Sequence, residues 1–472
     1  MRIEDHPILS FDRGNKITFY YEDEPVEAYE GETIAAALFN KGLREFRKSC
    51  EKKRSRGFFC AIGKCSSCLM RVDGVPNVRT CVTMVKEEME VEKQSGYPSI
   101  PNENGTESDV KQIEEEKTDI LVIGGGPAGL KATLAAAEAG ADVIIADENP
   151  FLGGQLIKQT HKFFGSVKGG AGKRGIEIKE ELVDKVKNHE KVGVKVGTSA
   201  VGIYEDTVGL YKNLERFQKV QCDRVIVATG ASEKMLNFKN NDMPGVYGAG
   251  GVQTLMNVYG IKPGDDLVMV GAGNVGLIVA YQLLQAKVNV KAIVEALDKI
   301  GGYYVHAAKI QRFGVPVLTG HTIKEVLGDN QVHKAVIAEL DEEFNPIEGT
   351  EEKMDVDVVA LAIGLSPDYK LLHQAGCELK YVPRLGGYVP LRDENMKTSR
   401  DDIYVAGDAS GVEEATTAML EGSIAGASAA LSINRGGEEE KKIIKDAKDD
   451  LEQLRNSPYY EEIMKGLNEV MR

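Results

Sequence analysis

DILVIGGGPAGLKATLAAAEAGADVIIAD, residues 119–147, is the stretch whose reading decides the fold. The stretch reads as a buried strand, the tight turn Gly124-x-Gly126-x-x-Gly129, an alanine-rich helix, and a second strand ending in Asp147. Gly124 permits the turn, Gly126 lets backbone approach a pyrophosphate, Gly129 lets the helix lie close to the strand, and the helix N-terminus attracts phosphate. Asp147, twenty-three positions after Gly124, is placed to accept hydrogen bonds from an adenosine ribose. A glycine turn alone is weak, but here both strands, the helix and the acid accompany it.

The design recurs in LVMVGAGNVGLIVAYQLLQAKVNVKAIVE, residues 267–295, with Gly271, Gly273, Asn274, Val275 and Gly276 in the turn and Glu295 at the end. A carboxylate there repels a 2′-phosphate, which favours NAD(H) over NADP(H). An adenine nucleotide without nicotinamide satisfies the same contacts, so this site specifies an ADP moiety only. The stretch Leu267 to Ala286 is the most hydropathic of the chain, yet its glycines divide it into strand, turn and helix, and no membrane span is expected.

Ahead of both turns, Cys60, Cys65, Cys68 and Cys81 stand as C-x4-C-x2-C with the fourth cysteine after twelve residues, the plant-type spacing of a [2Fe–2S] cluster. Each iron takes two thiolates, so a tight loop must present three sulfurs while the fourth arrives from elsewhere. Gly57 and Gly63 are expected to free that backbone, and the amides of Ala61 to Ser67 to donate hydrogen bonds to the bridging sulfides. Zinc is the distant alternative, since no histidine lies between His6 and His161. A disulfide framework is not expected, because no signal-peptide pattern precedes the cysteines. Cys50, Cys222 and Cys377 then read as ordinary thiols of a reducing, cytoplasmic setting.

The surrounding residues predict a small α+β domain: strands over 17–21, 26–29 and 69–72, a DG turn at Asp73 and Gly74, and a helix from Glu32 to Lys41. With 472 residues there is room for about three domains. The net charge of −15 argues against a nucleic-acid or acidic-membrane partner. The domain expectations are a [2Fe–2S] ferredoxin-like domain over 1–92, a polar linker over 93–116, and a flavin-type dinucleotide domain in two segments, 117–243 and 355–435. A second nucleotide domain is inserted over 244–354, and a helical tail runs over 436–472. In that tail Ile443, Ile444, Ala447, Leu451 and Leu454 fall at helical spacing, as for a helix packed on its own domain. No repeat beyond the two glycine turns is apparent.

The nested turns, with RVIVATG (Arg224 to Gly230) and IYVAGDAS (Ile403 to Ser410), resemble the two-dinucleotide flavoproteins that include thioredoxin and glutathione reductases. The resemblance covers about residues 118–433 and implies a Rossmann-like α/β fold that binds FAD. It carries Gly124, Gly126, Pro127, Ala128, Gly129, Asp147, Glu148, Gly154, Gln155, Thr229, Gly230, Gly407 and Asp408 to the FAD site, with Asp408 on the ribityl chain. The reductases' paired redox cysteines are missing outside the cluster domain, which disfavours disulfide reduction.

GFFCAIGKCSSCLMRVDGVPNVRTC, FLGGQL (Phe151 to Leu156), HKFFGS (His161 to Ser166) and MPGVYGAGGVQTLM (Met243 to Met256) together resemble the α subunits of multi-subunit dehydrogenases that act on amines and amino acids. These include heterotetrameric sarcosine oxidase, dye-linked proline dehydrogenase, opine dehydrogenase and hydrogen cyanide synthase. That resemblance, with an N-terminal β-grasp ferredoxin-like domain, implies a partner β subunit flavoprotein that oxidises a C–N bond, and hence a hetero-oligomer. Many relatives carry a cysteine-rich C-terminal module, but no cysteine follows Cys377 here, so electrons are expected to pass through the N-terminal cluster. Two other readings stand beside it: an autonomous NADH:acceptor oxidoreductase, and a non-catalytic electron-transfer or scaffold subunit, such as one of a polyol-phosphate dehydrogenase assembly. No catalytic residue is assigned. His161, His306, Tyr303 and Tyr304 read more readily as packing residues than as flavin or nicotinamide contacts.

Overall fold

The computed structural model describes residues 1–98, 113–163, 170–212 and 216–472, so part of the expected linker (99–112) and of the HKFFGS motif (164–166) lies outside the described residues. The chain divides into two compact units, Met1–Asn104 with Glu233–Gly364, and Gly105–Ser232 with Leu365–Arg472.

In the first unit the chain starts with a five-stranded sheet ordered Glu24–Tyr29, Lys16–Tyr21, Glu90–Glu92, Leu69–Val72, Val75–Arg79. Its first and last strands in chain order, Lys16–Tyr21 and Glu90–Glu92, run parallel, and the other pairs are antiparallel. The helix Ile34–Asn40 lies on the sheet, capped by the Thr33 hydroxyl, which accepts from the Ala36 amide at 3.3 Å. It starts two residues later than the sequence predicts, because Glu32 is spent on the Tyr29 amide and on an ion pair with Arg2. The DG turn falls where expected, with both residues at positive φ.

The rest of this unit is a five-stranded parallel sheet ordered Val246–Gly248, Val358–Leu361, Asp266–Val270, Asn289–Glu295, Val317–Thr319. A three-stranded antiparallel sheet, His321–Leu327, Lys334–Glu339, Glu352–Asp355, adjoins it in sequence. The sequence suggests a cluster domain set apart by a linker, yet one apolar core joins that domain to the inserted nucleotide-binding sheet. Phe39, Phe58 and Tyr247 meet edge to face, with centroids 5.8 to 6.2 Å apart, and the Arg44 guanidinium lies 3.7 Å from the Phe39 ring centre. These aromatics are too far apart in sequence for any local pattern to pair them.

The second unit holds a seven-stranded sheet. Val192–Lys195, Val143–Ala146 and Glu114–Ile123 lead in parallel to the long strand Arg216–Val227. That strand is shared: its first half pairs antiparallel with Thr207–Lys212, its second half parallel with Ile403–Val405. The buried helices Pro127–Glu138 and Ala415–Ser432 pack together, and Gly422 and Gly426 permit the approach because a Cβ at either would strike the carbonyls of Ala128 and Ala132. The tail forms two helices, Glu438–Arg455 and Glu461–Asn468. Ala447 and Leu451 are buried in this unit's core, in agreement with the helical spacing.

Phe58→Ala is expected to remove about 3–5 kcal/mol from the first unit. Calorimetry should show one transition moving down for that whole unit; a cluster domain melting separately from the inserted sheet would contradict the shared core.

Candidate functional site

The two glycine turns are built alike. Gly124 and Gly271 have φ of 107° and 106°, and a Cβ at either would run into a carbonyl oxygen, that of Ala228 or Ala362. Gly129 and Gly276 seat each helix against its own turn, since a Cβ would strike the carbonyls of Gly124 and Gly271. The helices Pro127–Glu138 and Asn274–Gln285 start directly after Gly126 and Gly273, leaving amides to face a phosphate.

Both acids hold their turns. Asp147 Oδ2 accepts from the Gly125 amide at 2.6 Å, and its Oδ1 from the Asn149 amide and side chain at 2.7 and 2.9 Å. Glu295 accepts from the Ala272 amide at 2.6 Å and the Leu297 amide at 3.0 Å. Counting two lone pairs per oxygen, Asp147 keeps one for a hydroxyl and Glu295 two. Burial raises the Asp147 pKa, and these amides oppose the rise.

A further repeat escaped the sequence reading. Glycine pairs lie six and seven residues beyond each acid, Gly153–Gly154 after Asp147 and Gly301–Gly302 after Glu295. Each pair packs against its turn: a Cβ on Gly154 would stand 2.6 Å from Gly126 Cα, and one on Gly302 2.8 Å from the Asn274 amide nitrogen. The Asn274 side-chain oxygen also accepts from the Tyr303 amide at 2.8 Å. The signal was the spacing from the acid rather than any residue in the turn. Tyr304 is 71% exposed and so is not a packing residue, whereas His306 is buried with its pKa lowered by burial. His161 stacks on Phe163 at 5.4 Å.

The cysteine loop winds tightly, with Ala61, Gly63 and Ser66 all at positive φ. Gly63 supplies the freedom expected of it. Gly57 does not act through φ; it is needed because a Cβ would strike the Arg44 carbonyl. The Cys60 sulfur lies within hydrogen-bonding reach of Cys65 and Cys81, and the Cys68 sulfur of Cys81. Amides of Ile62 and Cys65 face the Cys60 sulfur, and that of Ser67 faces Cys65 at 3.5 Å. No group of three or more His, Cys, Asp or Glu among the described residues is arranged to hold a single metal ion. The four sulfurs instead follow one another as neighbours in the order Cys65, Cys60, Cys81, Cys68, a donor set that suits a two-iron centre with two thiolates on each iron. Cys60, Cys68 and Cys81 are buried and Cys65 is exposed. Cys222 and Cys377 are buried thiols, the first pushed up to about 12 by burial and nearby carboxylates.

Gly407–Ser410 is a short turn following the strand Ile403–Val405. Thr229 is tied to the Asp368 carbonyl at 2.9 Å, and Gly230 takes φ 71°. Under the turn lies a charge network that no local motif announces. Glu421 accepts from the Gly407 amide at 3.0 Å and the Ser410 hydroxyl at 2.8 Å. Arg392 pairs with Glu421 at 3.3 Å and donates to the Ser410 carbonyl at 2.8 Å. Arg455, from the tail, donates to Glu413 at 2.6 Å and Glu421 at 2.7 Å. Arg392 and Glu421 are each 1% exposed, so neither charge is tolerable alone. Burial drives the Glu421 pKa up, but the two guanidiniums outweigh it and hold the carboxylate low. Burial, with help from Glu421 and Glu413, pushes Asp408 up to about 7.

These features belong to a known class. Residues 118–422 match the model of the pyridine nucleotide-disulphide oxidoreductases, and residues 14–96 that of a 2Fe-2S iron-sulfur cluster binding domain. The chain belongs to the pyridine nucleotide-disulphide oxidoreductase family and is a flavin oxidoreductase with an attached [2Fe–2S] domain, as its motifs imply. It is 26% identical to L-proline dehydrogenase from P. horikoshii, with a TM-score of 0.70 over 94% of this chain and 79% of that one. T. acidophilum thioredoxin reductase, 21% identical with a TM-score of 0.55 over 68% of this chain and 99% of its own, shares the fold. The alpha subunit of sarcosine oxidase from Rhizobium meliloti is 26% identical over 77% of this chain and 41% of its own length. The A subunit of opine oxidase from the same species is 28% identical over 67% of this chain and 72% of its own length. The chain thus spans under half the length of the sarcosine oxidase polypeptides it matches. No helix among the described residues is long and apolar enough to cross a membrane.

Two outcomes test this arrangement of charge. Arg455→Met leaves Glu413 and Glu421 short of a partner and should cost about 3–5 kcal/mol in denaturant melts, with Arg455→Lys recovering only part. For Asp408 the carboxyl ionises near 3.8 unfolded and about 7 folded. Native stability of flavin-free protein therefore falls as pH rises through that window, and the loss is complete above it. Asp408→Asn apoprotein should match the parent near pH 4 and exceed it above pH 7, by as much as about 4 kcal/mol. An equal difference at both pH values would refute the assignment.

Proposed function

We propose that this chain is the electron-handling α subunit of a multi-subunit dehydrogenase acting on an amino acid or amine, with proline-, sarcosine- or opine-like substrates oxidised in a partner β flavoprotein in the cytoplasm. The observation that carries it is the union of a cysteine loop for two irons with two complete nucleotide turns, in a chain whose only other thiols are Cys50 and the buried Cys222 and Cys377. Such a set can pass electrons but has no exposed dithiol with which to reduce a disulfide. The relatives from sarcosine oxidase and opine oxidase are themselves single subunits of larger enzymes, which supports the partner arrangement.

When bound, FAD supplies two-electron acceptance with release of single electrons. The chain's residues hold it. Gly124, Gly126, Pro127, Ala128 and Gly129 present the helix N-terminus to its pyrophosphate, Asp147 and Glu148 flank the ribose, and Gly154 with Gln155 closes that side. Thr229, Gly230, Gly407 and Asp408 line the remaining turns. Asp408, protonated up to about pH 7, is able to donate a hydrogen bond to a ribityl oxygen as well as accept one. Gly271, Gly273, Asn274, Val275 and Gly276 cradle the second nucleotide, and the two spare lone pairs of Glu295 suit both ribose hydroxyls of NAD(H) or another adenine nucleotide. Cys60, Cys65, Cys68 and Cys81 hold the [2Fe–2S] centre, with surrounding amides tuning its potential.

Purified alone, the chain should show both flavin and iron–sulfur absorption and release an adenine nucleotide on denaturation. It should gain proline, sarcosine or opine oxidation only with a second flavoprotein subunit. Cys65→Ser should abolish the iron–sulfur absorption and leave FAD in place. Rapid stoichiometric bleaching of the flavin by NADH, with no partner subunit found, would replace this reading with an autonomous NADH:acceptor oxidoreductase.

A further inference from the structure

The chain's negative charge is not evenly spread. Residues 41–81 carry eleven basic side chains against three acidic ones, a local net of +8 in a chain of −15. Several are already committed: Arg54 and Arg56 pair with Asp242, and Arg71 with Glu92. Lys48, Lys52, Lys53 and Arg79 are exposed and meet no carboxylate within ion-pair distance among the described residues. The first three belong to the hairpin formed by Arg47–Lys48 and Ser55–Arg56 and its connecting turn.

That hairpin borders the cysteine loop. Arg47 donates to the Ser66 carbonyl at 3.0 Å, one residue from the exposed Cys65. On the other side the Arg79 stem lies beside Gly63. The hairpin that carries Lys48, Lys52 and Lys53 thus borders one side of the sulfur loop and Arg79 the other, a concentration of exposed positive charge on an otherwise acidic protein.

We propose that this face docks a small acidic protein that carries one electron at a time, and that a single electron passes between that carrier and the iron held by Cys65, with no bond made and no proton moved. The inference rests on the assignment of the four cysteines to a [2Fe–2S] centre. Positive charge around a redox edge steers an acidic carrier into productive orientations and raises its association rate. Nucleic acid is the competing polyanion, but Phe46, Phe58 and Phe59, the aromatics of residues 41–81, are all buried, so this segment offers no series of rings on which successive bases could stack.

The test uses the full chain loaded with its cofactors and an acidic plant-type ferredoxin as the probe. Calorimetric binding should weaken at least about tenfold between low and physiological salt, and by a similar factor in Lys48→Glu/Lys52→Glu/Lys53→Glu. After photoreduction of the chain, stopped-flow electron transfer to ferredoxin should slow in parallel, while transfer to a neutral quinone is unchanged. Binding that ignores salt and charge reversal would overturn the proposal, as would equal affinity for basic cytochrome c or tighter binding of duplex DNA. Loss of ferredoxin binding once a β flavoprotein is assembled would assign the face to that flavoprotein instead, which also overturns it. The iron–sulfur spectrum, recorded on every sample, separates failure of the docking idea from failure of the cluster assignment.

Discussion

A carboxylate facing a glycine turn is the interaction on which both nucleotide sites depend. The turn swings backbone amides away from the sheet, and an amide left without an acceptor there would cost more than a typical hydrogen bond contributes. Asp147 and Glu295 answer it by accepting from Gly125 and Ala272 at the same 2.6 Å. The carboxylate is thereby fixed before any ligand arrives, and a fixed acceptor loses less entropy when a ribose hydroxyl binds. The acid thus shapes the turn first and leaves lone pairs over for a hydroxyl. Substituting either acid removes a brace as well as a contact.

In the first unit, the core formed by Phe39, Phe58 and Tyr247 has a mechanical consequence for electron transfer. A ferredoxin-like module on a flexible tether would place its cluster at many positions. Here Phe59 and Cys60 are buried among residues of the inserted nucleotide-binding part, Val246, Val268 and Leu361 included. The Gly248 amide also bonds to the Phe59 carbonyl at 3.3 Å. The start of the sulfur loop is therefore anchored on the parallel sheet behind it, which fixes where its first cysteine stands.

What can be read from the chain depends on how locally the information is stored. The strand–turn–helix–acid units, the cysteine spacing, the DG turn and the tail helix are each contained in a few dozen residues with a fixed period, and all are legible. The helix start at Ile34 is displaced from its sequence expectation because Glu32 is diverted to Arg2, thirty residues away. Gly57 is necessary, but through the Arg44 carbonyl across a turn rather than through its own φ, and only the folded chain distinguishes the two. The Gly301–Gly302 pair is visible in the sequence but unexplained by it, since only packing against Gly273 and Asn274 shows that it duplicates Gly153–Gly154. Arg392, Glu413, Glu421 and Arg455 are invisible as a group, since a charge network joining three separate segments leaves no periodic trace.

That network changes the meaning of the C-terminal tail. Surface packing through Ala447 and Leu451 alone would make the tail a removable cover. Arg455 instead reaches Glu421, whose other oxygen holds the Gly407 amide and the Ser410 hydroxyl, while the backbones of Val470 and Arg472 bond to that of Arg392. Two parts of the tail thus converge on the turn that bears Asp408. Buried like charges at Glu413 and Glu421 would repel without the guanidiniums, and the same pair of carboxylates is part of what raises Asp408. The positive charges keep Glu421 ionised as a hydrogen-bond acceptor, and its ionisation adds to the burial that raises the Asp408 pKa. The tail therefore acts on the ionisation of a residue it does not touch, through the one carboxylate that both the turn and Arg455 share.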